Sequence, residues 1–338
     1  MKVKSLSDMY ASLGTDAKTV FVVPQIRFEQ PETDYLYLLY KSLIDNKNYT
    51  IKSTSFFSHY KFVLHTLFQR KTILHYHWLE FQDLKSLFGM PWKLLLILLF
   101  KAFGGKLVWT IHNLQPHDQK WLGAHHKIHK WMANLADKIH IHCENTSEIV
   151  QKKFNISTEK IFILPHPTYP SVDIDKIRSL KVLDEKFDIN LDQDKPVLLI
   201  FGNISTYKRI ENILDLVDEE VIPIQTIIAG PVKKGQGILG KRLSLRAGTN
   251  TDIHLHQKYV EDNDIPFFFG AADFCFFNYD KILTSGSVLL AHSYHKKIIA
   301  PDLGCISDLK NEKNVFLFSS DREKRVMLSS VISTLNHE

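Results

Sequence analysis

The sequence predicts an α/β protein built as two doubly wound parallel domains in tandem. Short β-rich runs alternate with longer helical ones, which argues for parallel strands joined by crossover helices. Several strand candidates are apolar throughout, VLLIF at 197–201 among them, as strands covered on both faces are. The chain has 338 residues, and its alternation restarts after a break at Pro165, Pro167 and Pro170, so two domains are expected.

In the first half, strands are expected at Thr19–Val23, Thr50–Thr54, Thr72–His77, Lys106–Ile111, Lys138–His142 and Lys160–Leu164. Helices fall between them at Tyr35–Lys47, His59–Phe68, Trp92–Phe103, Lys127–Leu135 and Thr146–Phe154. The helix at Trp92 contains the longest apolar run, Leu94 to Phe100, far short of the roughly 20 residues that cross a bilayer. Flanking Lys93, Lys101 and Lys106 would suit lipid head groups, but the strand-like LVWTIH that follows at once favours a helix packed under a sheet.

The prolines lead into a charged, weakly structured stretch from Ser171 to Lys195. The boundary is placed here, giving domains of residues 1–170 and 171–338, with the last helix packing back on the first domain. The second series comprises strands at Val197–Phe201, Gln225–Ala229, Thr251–Leu255, Asp273–Phe277, Lys297–Ala300 and Val315–Phe318, and helices at Ile210–Val217, Val288–Tyr294 and Arg322–Leu335. Ligands of such sheets bind beyond the carboxyl ends of the strands. Two such domains facing each other would enclose a cleft, a common ligand site.

Composition narrows the function. Hydrophobic residues make up 44% and charged residues 23% of the chain, an ordinary globular balance. The net charge of +5 is too mild for a nucleic-acid binder, which concentrates basic residues in a stripe; it suits an anionic small ligand or an acidic membrane surface. Cys143, Cys275 and Cys305 are widely spaced and suggest neither a disulfide framework nor a zinc motif. With no apolar segment of signal-peptide length near Met1, a cytoplasmic protein is expected, associated with the inner face of the membrane.

Two segments carry candidate chemistry. In NYDKILTSGSVLLAHSYHKKIIAP, the Thr284-Ser285-Gly286-Ser287 turn joins a strand to a helix. Small residues there leave N–H groups free for an anion, which the helix dipole favours; the same residues also make an ordinary N-cap. In VLLIFGNISTYKRIENIL, Gly202 permits a tight exit from the strand. Lys208 and Arg209 stand at a helix N-terminus, where positive charge is unfavourable unless an anion compensates.

Taken in order, these segments and VWTIHNLQPHD resemble the GT-B glycosyltransferases, closest to the glycosyltransferase family 4-like group that builds bacterial surface polysaccharides. The resemblance covers most of the chain. It implies two Rossmann-like domains facing a central cleft and transfer of a hexose or related sugar from a nucleotide-diphosphate sugar to a glycan or lipid-linked glycan acceptor. The donor is a co-substrate, and neither cofactor nor metal is required. Lys208, with Arg209, would neutralise the departing diphosphate; Thr284, Ser285, Gly286 and Ser287 would hold the phosphates; Gly202 and Asn203 would line the pocket. His112 would face the sugar as a catalytic residue beside Lys208, with Asn113, His77 and His117 on the acceptor side and Asp118 and Glu29 behind.

The sequence departs from the family pattern at four places. The two usual glutamates of the donor loop are Leu283 and Ala291, the usual arginine after the strand glycine is Asn203, and Pro24-Gln25-Ile26-Arg27 replaces the glycine-rich first turn. Loss of both carboxylates motivates a rival reading, a non-catalytic GT-B-like binding or partner subunit. An NAD-type oxidoreductase is disfavoured, because no GxGxxG follows a strand.

The remaining histidines and tryptophans have plainer readings. His75/His77 and His140/His142 share strand faces and His125/His129 are a helical turn apart, but no HExxH or Cys/His signature marks a metal site. His77, with Trp78, is expected toward the acceptor, the others as surface or packed histidines, and His166 as a structural residue of the hinge. Trp92 and Trp121 could form an acceptor platform, Trp131 reads as core, and the basic, aromatic Trp121–Trp131 segment as a membrane contact.

Overall fold

The computed structural model describes residues 4–28, 33–69, 71–81, 84–116, 121–220 and 223–335. The chain divides into two compact units, Met1–Pro167 and Thr168–Glu338.

The first unit is one six-stranded sheet of β1 (Thr19–Val23), β2 (Thr50–Ser53), β3 (Thr72–Tyr76), β4 (Lys106–Thr110), β5 (Lys138–Ile141) and β6 (Ile161–Ile163). Its order is β2-β1-β3-β4-β5-β6, and every pair is parallel. The helices are α1 (Leu6–Ala11), α2 (Tyr35–Asn46), α3 (Tyr60–Gln69), α4 (Leu84–Phe88), α5 (Met90–Ala102), α6 (Leu122–Leu135) and α7 (Ser147–Phe154). The Asp34 carboxylate caps α2 by accepting from the Tyr37 N–H at 2.8 Å, which satisfies one orphan donor of the first turn. Leu6, Met9 and Tyr10 of α1 and Leu36, Leu39 and Tyr40 of α2 pack on Val20 and Val22 of β1. Strand order reverses between β1 and β3, so their carboxyl ends form a switch point.

The second unit has β7 (Val197–Phe201), β8 (Gln225–Ala229), β9 (Ile253–His256), β10 (Phe274–Phe276), β11 (Lys297–Pro301) and β12 (Val315–Phe318), also parallel, in the order β12-β11-β10-β7-β8-β9. Its helices are α8 (Lys176–Phe187), α9 (Ile210–Glu219), α10 (Gly237–Thr249), α11 (Ile265–Ala271), α12 (Gly286–Ser293) and α13 (Asp321–Leu335). Alternate residues of a strand face opposite sides: Val197, Leu199 and Phe201 enter one core with α8, α11 and α12, and Leu198 and Ile200 enter the other with α9 and α13. The buried face of α13, Leu328, Val331 and Ile332, belongs to this second core. The switch point lies between β7 and β10.

Two expectations change. The stretch from Ser171 to Lys195 contains α8, capped by Asp175, whose carboxylate accepts from the Arg178 N–H at 2.8 Å. Its charged surface disguises a narrow buried side at Ser179 and Leu183 that packs against α11. Helix α5 is not covered all round. Met90, Leu96, Ile97 and Phe100 are buried, while Trp92, Leu95 and Leu98 are 44–48% exposed. Neighbouring α3 leaves Leu64, Leu67 and Phe68 exposed.

Leu183→Ala is expected to destabilise by about 2–5 kcal/mol, and Asp175→Ala by about 1 kcal/mol, read as lower urea midpoints. Near-neutral results would return this stretch to an unstructured connection.

Candidate functional site

The second unit's site is built at the carboxyl ends of β7 and β10. After Phe201 the chain turns at Gly202 with φ +92°, a conformation that suits glycine. A Cβ there would lie 2.7 Å from Ser287 Oγ and 3.1 Å from Lys208 Nζ, so the two groups converge on the glycine's open side. Gly230, at the end of β8 with φ +141°, abuts the same turn: its Cβ would lie 2.5 Å from the Gly202 carbonyl oxygen.

Lys208 is 4% exposed and donates to the Phe201 carbonyl at 2.8 Å. No carboxylate pairs with it among the described residues. Burial, which penalises the charged ammonium, pulls its pKa down to about 7. Arg209 differs: it is half-exposed and ion-paired with Asp280, so a side chain already supplies the anion expected opposite it. Asn203 is exposed.

The Thr-Ser-Gly-Ser turn divides its labour. Ser285 caps α12, its hydroxyl accepting from the Val288 N–H at 3.3 Å and meeting the Tyr279 hydroxyl at 2.9 Å. Thr284 lies against Cys305, Oγ1 to Sγ 3.3 Å. Ser287 Oγ lies, with Lys208 Nζ, on the open side of Gly202 and also bonds to Tyr279. The Gly286 and Ser287 N–H groups occupy the first turn, where no intrahelical acceptor exists. Thus the N-cap and anion-site readings are compatible, carried by different serines. Leu283 and Ala291 are buried and apolar. Just past β10, Asn278 is 4% exposed, and its Nδ2 has no hydrogen-bond partner among the described residues. Sequence reasoning gave no role to Asn278, Tyr279 or Gly230; a glycine directly after β8 and before Pro231 was the available signal for the last.

In the first unit, strand alternation and parallel register bring histidines from three neighbouring strands to one face. His77 follows β3 directly and His112 follows β4 after one residue; Tyr76 pairs with Trp109 and Thr110 with His140. His75 Nε2 meets Thr110 Oγ1 at 2.7 Å, which meets His140 Nδ1 at 2.9 Å. Tyr40 OH lies 2.5 Å from His75 Nδ1 and 3.0 Å from His77 Nε2, and His77 Nδ1 lies 3.2 Å from His112 Nε2. His140 and His142 both donate to the Leu164 carbonyl, at 2.9 and 3.2 Å. His112 also stacks on Trp78, with ring centroids 4.2 Å apart.

Burial and the neighbouring rings hold His75, His77, His112 and His142 well below the ordinary imidazole pKa, and burial lowers His140 and His166 to about 4. His77 is wholly enclosed and meets His112, whereas Trp78 remains partly exposed. Asn113 adjoins His112 and is partly buried; His117, Asp118 and Glu29 lie outside the described residues. His125 and His129 of α6 meet the carbonyls of Phe81 and Leu79. Among the described residues no group of three or more His, Cys, Asp or Glu side chains is placed to hold a metal ion.

The lowered histidine pKa values give stability a pH dependence. The unfolded chain binds protons as pH falls through about 6.5, while the folded rings resist them to about 4. Stability is therefore full above pH 6.5 and falls as pH drops through that window. Urea midpoints at pH 7.5, 6 and 5 should decrease in that order; a flat profile would contradict neutral burial of the cluster.

No protein-family profile and no curated protein sequence matches the chain. Solved structures do. HepE of Anabaena, crystallised with UDP and glucose, is 14% identical with a TM-score of 0.64, covering 94% of this chain and 89% of its own. A glycosyltransferase of Rickettsia africae is 13% identical with a TM-score of 0.63, over 95% and 89% of the two chains. Sucrose-phosphate synthase of Thermosynechococcus elongatus is 11% identical with a TM-score of 0.66, over 94% and 90%. Shared along almost the whole of each chain at such low identity, what is common is the architecture: this chain has the GT-B fold, the fold of these glycosyltransferases.

Proposed function

We propose that the protein transfers a sugar from a nucleotide-diphosphate sugar to a glycan or lipid-linked glycan acceptor in bacterial surface-polysaccharide synthesis. The observation that carries this reading is the buried ammonium of Lys208, facing Ser287 Oγ across the open side of Gly202 at a switch point. A site that pays for burying an uncompensated cation gains when an anion arrives. Glycosyl transfer leaves negative charge on the departing diphosphate. Lys208, the Ser287 hydroxyl and the first N–H groups of α12 would stabilise it as it develops, the charge stabilisation that a metal ion supplies elsewhere. Asn278 is a candidate to hold donor hydroxyls in place of the missing carboxylates. His112 is assigned to the sugar side, as the resemblance implies. Since the Anabaena protein binds UDP and glucose, UDP and UDP-glucose are the first ligands to test.

A membrane-facing acceptor finds support in the exposed apolar side of α3 and α5, a large patch for a protein surface. Lys93 lies beside it, over the Phe56 ring, a pairing of apolar and basic groups suited to anionic lipid. No helix among the described residues is long and apolar enough to cross a membrane. Sedimentation with anionic vesicles should carry the protein down, and Leu95→Glu with Leu98→Glu should release it; no sedimentation would remove membrane contact from the proposal.

Calorimetry tests the donor site. Burial lowers the pKa of empty Lys208 to about 7 and a bound diphosphate favours its charged form, so UDP binding at pH 8 should take up protons. Lys208→Ala should abolish that uptake and weaken binding about tenfold to a hundredfold. Ser287→Ala should weaken it less, and His112→Ala scarcely at all. Equal losses at all three would overturn this division of roles. The apolar Leu283 and Ala291 favour the second reading, a non-catalytic partner subunit; nucleotide binding with neither transfer nor hydrolysis of any donor would select it.

A further inference from the structure

The histidine network has a direction, and the direction ends at His112. A backbone carbonyl can only accept, so His140, bonded to Leu164 O through Nε2, carries its hydrogen there. Being neutral, it leaves Nδ1 as an acceptor, and Thr110 must donate to it. Thr110 Oγ1 then accepts from His75 Nε2–H, which leaves His75 Nδ1 bare. Two hydroxyls reach that nitrogen, Tyr40 at 2.5 Å and Tyr10 at 2.8 Å; the shorter contact needs a hydrogen between its atoms, which the Tyr40 hydroxyl supplies, while Tyr10 turns its own hydrogen toward the Tyr40 oxygen. With its single hydrogen committed, Tyr40 can only accept from His77, so His77 carries its hydrogen on Nε2. His77 Nδ1 is then an acceptor, and His112 must donate to it from Nε2.

We infer that the Leu164 carbonyl, through this one-way chain, sets His112 as the Nε2–H tautomer and leaves its Nδ1 as a hydrogen-bond acceptor. That nitrogen has no partner among the described residues, and it is not one of the fully buried unpartnered atoms. Low pKa values along the chain support the neutral state each link requires. His112 can therefore accept a hydrogen bond from a sugar or acceptor hydroxyl but cannot donate one through Nδ1. His140, Thr110, His75, Tyr40 and His77 are positioning residues that act through it. That His112 meets a sugar rests on the proposed function; its tautomer does not.

Long-range proton–nitrogen correlation of the histidine rings in ¹⁵N-labelled protein at pH 7.5 reads the tautomer directly. His112 is expected with Nε2 protonated and Nδ1 bare. Tyr40→Phe, which severs the chain beyond His75, should turn His112 into a mixture of tautomers while His140 keeps its form. A proton on His112 Nδ1 or a mixture in the unaltered protein would overturn the inference, as would an unchanged His112 in Tyr40→Phe. Should that variant not fold, the unaltered protein decides alone. Where transfer is measurable, Tyr40→Phe should lower kcat about tenfold with donor KM within about twofold. Absence of turnover in the unaltered protein would sink the functional reading and leave the tautomer measurement standing.

Discussion

A parallel sheet buried on both faces admits almost nothing polar along its strands, and that constraint organises both units. Its backbone groups are satisfied by the ladder, and its side chains must be apolar or bring their own partners. In the second unit β7 obeys the first option throughout, and β8, also buried at every residue, departs from it only at Thr226 and at Gln225, which pairs with the Asp192 backbone. Chemistry is displaced to the carboxyl edge, where Gly202, Lys208 and the α12 N-terminus gather. The first unit takes the second option as well. Its interior polar groups are admitted as a linked set, with tyrosine and threonine hydroxyls joining the rings and the two lone pairs of one carbonyl anchoring one end.

Much of this was legible in the sequence. The strand boundaries at Val197–Phe201 and Val315–Phe318 match the structure residue for residue, because unbroken apolar runs between polar segments leave little freedom; Gln225–Ala229 matches too. Lys208, Gly202 and Ser287 were legible singly from their local patterns and as a set through the resemblance, and the structure brings them together. What spacing could not show is that Ser285 and Ser287 differ: one hydroxyl turns back to cap its helix and the other stands on the open side of Gly202, a matter of side-chain direction. Nor could it show that Arg209 already has Asp280, since that pairing depends on how two loops meet.

The misses share a cause. Helix α8 hides a narrow buried side, Ser179 and Leu183, among charged residues, so charge reads as disorder until α11 is seen against it. The histidine pairs on β3 and β5 were visible as i,i+2 repeats, but their meaning depended on sheet order, which places β4 with Thr110 between them. Tyr10 and Tyr40 come from helices early in the chain, and no local pattern links them to strands far downstream.

The contact between Gly202 and Gly230 has a consequence for how such a protein can diversify. A side chain on Gly230 would strike the Gly202 backbone, and one on Gly202 would strike Ser287 and Lys208, so neither turn can acquire one unless its neighbours retreat. Sequence drift at this floor must be concerted, and most single steps are closed. The walls are freer: Asn203 faces outward, and the places of the usual glutamates have been given over to leucine and alanine. New ligand preferences would therefore arise by repainting the walls around a floor held fixed by packing.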